Sequence, residues 1–278
     1  MEFRTPVDIS DLGFEIAPCE PVLLVGSCFA NEIGRHFQAE GFPTVVNPFG
    51  TMYNPVSVLH TLQRYEGAVP RIVFLTLGTN HVYRLKATGE IVDNCEKRPQ
   101  NLFQEEELTV AACQEALQQA VSLLQERNPE VHVVLTVSPI RYRKYGYHGS
   151  QLSKATLLLA VQGLLTNLRP QTSNITHQTS NITYFPAYEI LMDELRDYRF
   201  YAADMLHPSE QAVDYVWERL VASTFSQDAK NFLEEWRPLK QALGHKPFNA
   251  DSPEYKALMD KTMLKLTALR KKYSTFAL

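Results

Sequence analysis

Ser27 and Cys28 follow Gly26 where the apolar run Leu23-Leu24-Val25 gives way to a polar, helix-like segment. A hydroxyl at the mouth of a helix has two uses. It caps the helix by accepting from a free backbone N–H, or it attacks a carbonyl once a base takes its proton. In the second case the Ser27 N–H and the positive helix end are available to a developing oxyanion. Cys28 competes for the nucleophile's role, since thiols gain thiolate character at helix N-termini. The strand-to-helix turn favours Ser27, with Cys28 rotated inward to pack.

A base is offered by Asp204-Met205-Leu206-His207, just before Pro208 and a helical pattern. Three residues of separation let a carboxylate fold back onto the imidazole, fix its tautomer and leave the other ring nitrogen as a base. An isolated D-x-x-H is usually a solvated turn; paired with a strand-end serine it is more specific. Further oxyanion donors would be the Gly50 N–H in Asn47-Pro48-Phe49-Gly50-Thr51 and the Asn80 amide in Gly78-Thr79-Asn80-His81. Both residues also suit ordinary turns. Arg141, Arg143, His148 and His81 read as substrate contacts or a solvated rim. No His, Cys, Asp or Glu set has metal-ligand spacing, and the chemistry needs no cofactor.

These residues must be brought together by the elements around them. Residues 21–25, 43–46, 71–77 and 131–137 are short, β-branched and almost continuously apolar, as strands covered on both faces are. A weaker fifth strand is expected over 181–190, and helices around 29–41, 55–65, 104–127, 150–168 and 208–223. Such alternation predicts a parallel α/β sheet with helices on both faces. The ligand crevice of such a sheet lies at the carboxyl ends of its strands, where the polar segments above fall. Residues 80–95 read as a hairpin insert turning near Thr88-Gly89. The near-duplication over 171–183 reads as a surface loop, its two glycosylation sequons relevant only in a secretory pathway.

From about residue 225 the chain turns charged and helical, which divides it into a domain over 1–225 and a helical extension over 226–278. Tyr255, Leu258, Met259, Met263, Leu266 and Leu269 share a helical face, for packing on the domain or for a dimer contact. The 278 residues carry a net charge of −4, which gives no electrostatic reason to expect nucleic acid. No apolar run reaches membrane-span length, no signal segment is visible, and the four scattered cysteines suit a reducing cytoplasm.

Gly26-Ser27-Cys28-Phe29-Ala30 resembles the signature of the GSCFA family, a branch similar to the SGNH (GDSL-like) hydrolases. The likeness runs on through residues 47–55, 76–79, 94–99, 135–143, 148–160, 184–190 and 204–209. It implies a three-layer α/β/α sandwich with a mainly parallel, flavodoxin-like sheet. It further implies Ser27 as nucleophile, His207 as base, Asp204 as its orienting partner, and an oxyanion hole from Ser27, Gly50 and Asn80. Two departures stand out: no acidic residue separates Gly26 from Ser27, and His81 follows Asn80 where the broader pattern has Asp. Asn94 is a substitute donor. The expected activity is a serine esterase or acyl hydrolase acting on a small or carbohydrate-linked ester, acetate first. An acyltransferase with the same triad and a non-catalytic binding module on the same fold are the alternatives.

Overall fold

Residues 22–26, 72–77 and 132–137 are buried along their whole length, because each strand has helices on both sides. The computed structural model describes residues 4–9, 12–93, 95, 98–167 and 181–277. In its first half it contains β1 (Val22–Gly26), α1 (Cys28–Ala39), β2 (Thr44–Val46), α2 (Pro55–Arg64), β3 (Ile72–Leu77), β4 (His81–Leu85) and β5 (Ile91–Val92). There follow β6 (Phe103–Glu107), α3 (Val110–Arg127), β7 (His132–Val137), α4 (Gly146–Asn167), β8 (Ile182–Tyr184), α5 (Ala187–Glu189), α6 (Glu210–Thr224), α7 (Gln227–Gly244) and α8 (Pro253–Lys272). Ser27, Asn54, Thr109, Ser209, Ser226 and Ser252 cap α1, α2, α3, α6, α7 and α8, each accepting from a backbone N–H of the first turn.

The central sheet has the order β2-β1-β3-β7-β8, and every pairing in it is parallel. Strand alternation splits its side chains between two cores. Val22, Leu24, Ile72 and Phe74 pack with α1, α6, α7 and α8 on one face. Leu23, Val25, Val73 and Leu75 pack with α2, α3 and α4 on the other. The result is an α/β/α sandwich. The chain steps from β1 to β2 on one side and returns to β3 on the other, so the carboxyl ends of β1 and β3 flank the topological switch point.

Three expectations need correction. Residues 103–107 are a strand, not the start of a helix: β6 pairs antiparallel with β4 (Tyr83 opposite Glu105), making a three-stranded sheet with β5. Its glutamates favour a helix locally, but pairing with β4 and ion pairs to Arg84 and Lys144 override that preference. The fifth strand ends at Tyr184, where Phe185-Pro186 turns the chain into α5. On α8, Leu266 and Leu269 turn inward with Thr262, whereas Leu258 and Met263 face outward at 44% and 47% exposure. Of the near-duplication, residues 171–180 lie outside the described residues.

The C-terminal helices share the first core: Phe232, Trp236, Leu266, Leu269 and Phe276 cluster with Phe37 and Phe42. The Trp236 indole donates to the Ala39 carbonyl at 3.2 Å, and the Ala277 N–H to that of Gly41 at 2.9 Å. No helix among the described residues is long and apolar enough to cross a membrane.

Candidate active site

β1 ends on Gly26 because no other residue fits there. Its φ is +142°, and a Cβ would stand 2.0 Å from the Thr76 carbonyl oxygen on β3. The Gly26 N–H donates to Asn47 Oδ1 (2.8 Å), and its carbonyl accepts from Met52 (2.8 Å), so the loop after β2 is drawn onto the turn.

Ser27 comes next and is sealed, with 0% exposure. Its N–H donates to the Thr76 carbonyl (3.0 Å) and to Thr76 Oγ1 (2.9 Å). Its hydroxyl lies 3.2 Å from that of Thr76 and accepts from the Phe29 N–H at 3.3 Å. This is the capping use of the serine. The expectation that Ser27 faces the crevice with a free N–H is therefore corrected: β3 engages the amide and the α1 cap engages the hydroxyl.

Cys28 takes the opposite course to the one expected of it. It is half-buried, and its Sγ lies 3.4 Å from the Tyr53 hydroxyl. It is the first residue of α1, and its N–H has no acceptor among the described residues. Tyr53 is firmly held: its carbonyl accepts from the N–H groups of Gly78 and Thr79, each at 2.8 Å. Its ring meets that of Tyr142 edge-on, with centroids 6.1 Å apart.

The Asp204–His207 turn forms a self-contained unit. Asp204 Oδ1 accepts from the N–H groups of Leu206 (2.9 Å) and His207 (3.0 Å), while Oδ2 meets His207 Nδ1 at 2.6 Å. Met205 takes the left-handed φ of +60° that closes the turn. The Nδ1–H of His207, joined by the two backbone donors, holds the Asp204 carboxyl down at about 2. With Nδ1 bound, Nε2 is the ring nitrogen left to exchange a proton.

The segment after β7 links the two halves. Arg141, in the segment after β7, donates its N–H to the Leu206 carbonyl (3.0 Å) and Nη1 to that of Met205 (3.1 Å). Its guanidinium lies against the rings of Tyr147, Tyr198 and Tyr201. Tyr142, the next residue, meets Tyr53, whose hydroxyl meets Cys28. Contacts thus run from Cys28 through Tyr53, Tyr142 and Arg141 to the D-x-x-H turn. Among the hydrogen bonds of the described residues, none joins His207 to Ser27 or to Cys28.

The other expected donors are also engaged. The Gly50 N–H closes its own turn onto the Asn47 carbonyl at 2.8 Å. The Asn80 amide donates to the Leu108 carbonyl at 2.8 Å and ties the start of β4 to the end of β6. The Gly50 N–H is thus not a free oxyanion donor, whereas the Asn80 amide has a second hydrogen beyond this bond. His81 is buried and stacked on Tyr145 with centroids 3.5 Å apart, and burial lowers its pKa. Arg143 and His148 are exposed, and Asn94 lies outside the described residues. No group of three or more His, Cys, Asp or Glu side chains among the described residues is arranged to hold a metal ion.

Sequence reasoning missed Lys154. It is buried on α4, and its ammonium donates to the carbonyls of Gly78 (2.6 Å) and Ser138 (2.7 Å), just beyond the ends of β3 and β7. The signal was a lysine on the inner face of an apolar helix pattern, within a block of the family likeness.

The GSCFA family model matches residues 21–71 and 66–220, and the model of the GSCFA domain protein C-terminal domain matches residues 236–278. The chain belongs to the GSCFA family. No curated protein matches this GSCFA chain. Among solved structures it is similar to an acetyl esterase mutant with acetate ion, at 12% identity and TM-score 0.44, covering 79% of this chain and 99% of that one. A GDSL-like lipase from Bacteroides thetaiotaomicron is similar at 13% identity and TM-score 0.45, covering 78% and 89%. A carbohydrate esterase family 3 protein from Talaromyces cellulolyticus is similar at 11% identity and TM-score 0.41, covering 79% and 99%. Nothing about this chain's substrate follows from likeness at that level.

Proposed function

We propose that the chain is an acyl-ester hydrolase whose nucleophile is the Cys28 thiol, with His207 as base and Asp204 holding the imidazole. One observation carries the choice of sulfur over oxygen: the Ser27 hydroxyl is sealed against Thr76, while Cys28 Sγ stands beside the exposed Tyr53 at the switch point. The resemblance to SGNH hydrolases supports ester chemistry, and the positive end of α1 favours negative charge developing at its first residue.

In this reading His207 Nε2 takes the thiol proton as Sγ bonds to the ester carbonyl carbon, and the carbonyl π electrons move onto oxygen. The Cys28 N–H donates to that oxyanion. Collapse expels the alkoxide, which receives the proton from His207. Water then attacks the thioester, giving His207 a proton, and its collapse releases the acid and returns the proton to sulfur. A sugar hydroxyl in place of water would make the same site an acyltransferase. An acetyl group on a carbohydrate is the first substrate to try, because the strand-end segments are polar and Arg141 stands over the base turn.

The test is turnover of p-nitrophenyl acetate, with mass analysis of the acylated and iodoacetamide-treated protein. Wild type and Ser27→Ala should turn over and carry the label at Cys28, while Cys28→Ala and His207→Ala should not turn over. Unchanged turnover in Cys28→Ala would end this reading; no turnover in any form, wild type included, would favour the binding module.

A further inference from the structure

We propose that the Tyr53 hydroxyl is a catalytic hydrogen-bond donor to the oxyanion, acting beside the Cys28 N–H. The inference rests on Cys28 being the nucleophile and adds a residue to that site.

Three side-by-side observations lead to it. First, the backbone donors expected at this crevice are occupied: the Ser27 N–H by Thr76 and the Gly50 N–H by Asn47. The Cys28 N–H is the backbone donor left among these three, and acyl transfer normally uses a second donor beside it. Second, the Tyr53 hydroxyl is 3.4 Å from Cys28 Sγ. An oxyanion on a carbon bonded to that sulfur lies within about 3 Å of it, so a donor this close to sulfur reaches the oxyanion with little movement. Third, Tyr53 is both fixed and accessible. Its carbonyl is clamped by Gly78 and Thr79 and its ring braced by Tyr142, yet the residue remains 38% exposed. A preorganised donor has this combination, because it need not be reoriented when charge develops.

The phenol is also in the right protonation state. Burial, with the neighbouring Cys28 adding to it, pushes Tyr53 up to about 12, so the hydroxyl keeps its proton at neutral pH. In the resting protein that proton is shared with Sγ; as the carbonyl carbon bonds to sulfur it turns to the new oxyanion. No proton is transferred, and when the intermediate collapses the hydroxyl returns to sulfur.

Tyr53→Phe keeps the ring and removes the donor. Against p-nitrophenyl acetate, kcat should fall about 10²–10³-fold with KM within about twofold, the pattern of a contact made only in the transition state. The melting temperature and the alkylation of Cys28 by iodoacetamide in the denatured protein should match wild type. Replacing Tyr53 with 3-fluorotyrosine, a stronger donor of nearly the same shape, should keep kcat at or above wild type, which a packing role does not predict. Wild-type kcat in Tyr53→Phe, with Cys28→Ala inactive, overturns this inference and leaves the cysteine reading standing. Full activity in Cys28→Ala, or an inactive wild type, overturns both.

Discussion

Ser27 and Thr76 lock together across the junction of β1 and β3: one amide donates to both the carbonyl and the hydroxyl of the threonine, and the two hydroxyls lie 3.2 Å apart. This contact turns the serine away from the crevice and leaves the position beside Tyr53 to Cys28.

Ser27→Ala should therefore cost stability rather than chemistry. The α1 cap on the Phe29 N–H is lost, worth about 0.5–2 kcal/mol, while Thr76 still accepts from the backbone amide. Urea denaturation should show the loss; kcat for an acyl ester should stay within a few-fold of wild type.

Gly26→Ala should be far more severe. A methyl group cannot stand 2.0 Å from the Thr76 carbonyl oxygen, and the φ of +142° is one side chains rarely adopt. We expect a loss of at least about 3 kcal/mol, read as poor soluble yield or a large fall in denaturation midpoint.

Asp204→Asn keeps the turn's size and removes the charge that orients His207. If the base is His207, kcat should fall about 10²–10⁴-fold with little change in fold. The wild-type carboxyl, held at about 2 against an ordinary 3.8, stabilises the folded protein above pH 3.8, and that contribution fades as pH falls through about 2. Carboxyl NMR should find Asp204 still ionised at pH 3, where ordinary aspartates are mostly protonated.

Lys154 should give a pH dependence of opposite origin. Burial pushes it down to about 7, against 10.5 when unfolded. Between those values the unfolded chain binds the extra proton, so stability from this group rises with pH, by up to about 1.4 kcal/mol per pH unit. Urea midpoints of wild type and Lys154→Met compared at pH 7 and pH 9 should show that rise in wild type and not in the variant. The variant should also lose activity, because Gly78 and Ser138 lose their shared donor.

Much of the scaffold was legible from local pattern. Runs such as Val73-Phe74-Leu75 are apolar at every position only when both faces are covered, so a buried parallel sheet could be read without coordinates. The D-x-x-H turn was legible for a similar reason, since Asp204 reaches its partners within three residues. β6 was not, because its glutamates favour a helix and its partner β4 is supplied from a distance.

By itself the sequence determined the first four strands of the parallel sheet, most helix starts, the Asp204–His207 unit and the family. Only the tertiary structure decided which of two adjacent candidate nucleophiles is sealed in. Ser27 and Cys28 differ by one step of backbone, and the side chain that faces inward is chosen by Thr76, 49 positions along the chain. The Gly50 N–H was decided the same way, by the Asn47 carbonyl that accepts it. Hydrogen-bond capacity is finite, and which partner takes it is fixed by packing rather than by spacing.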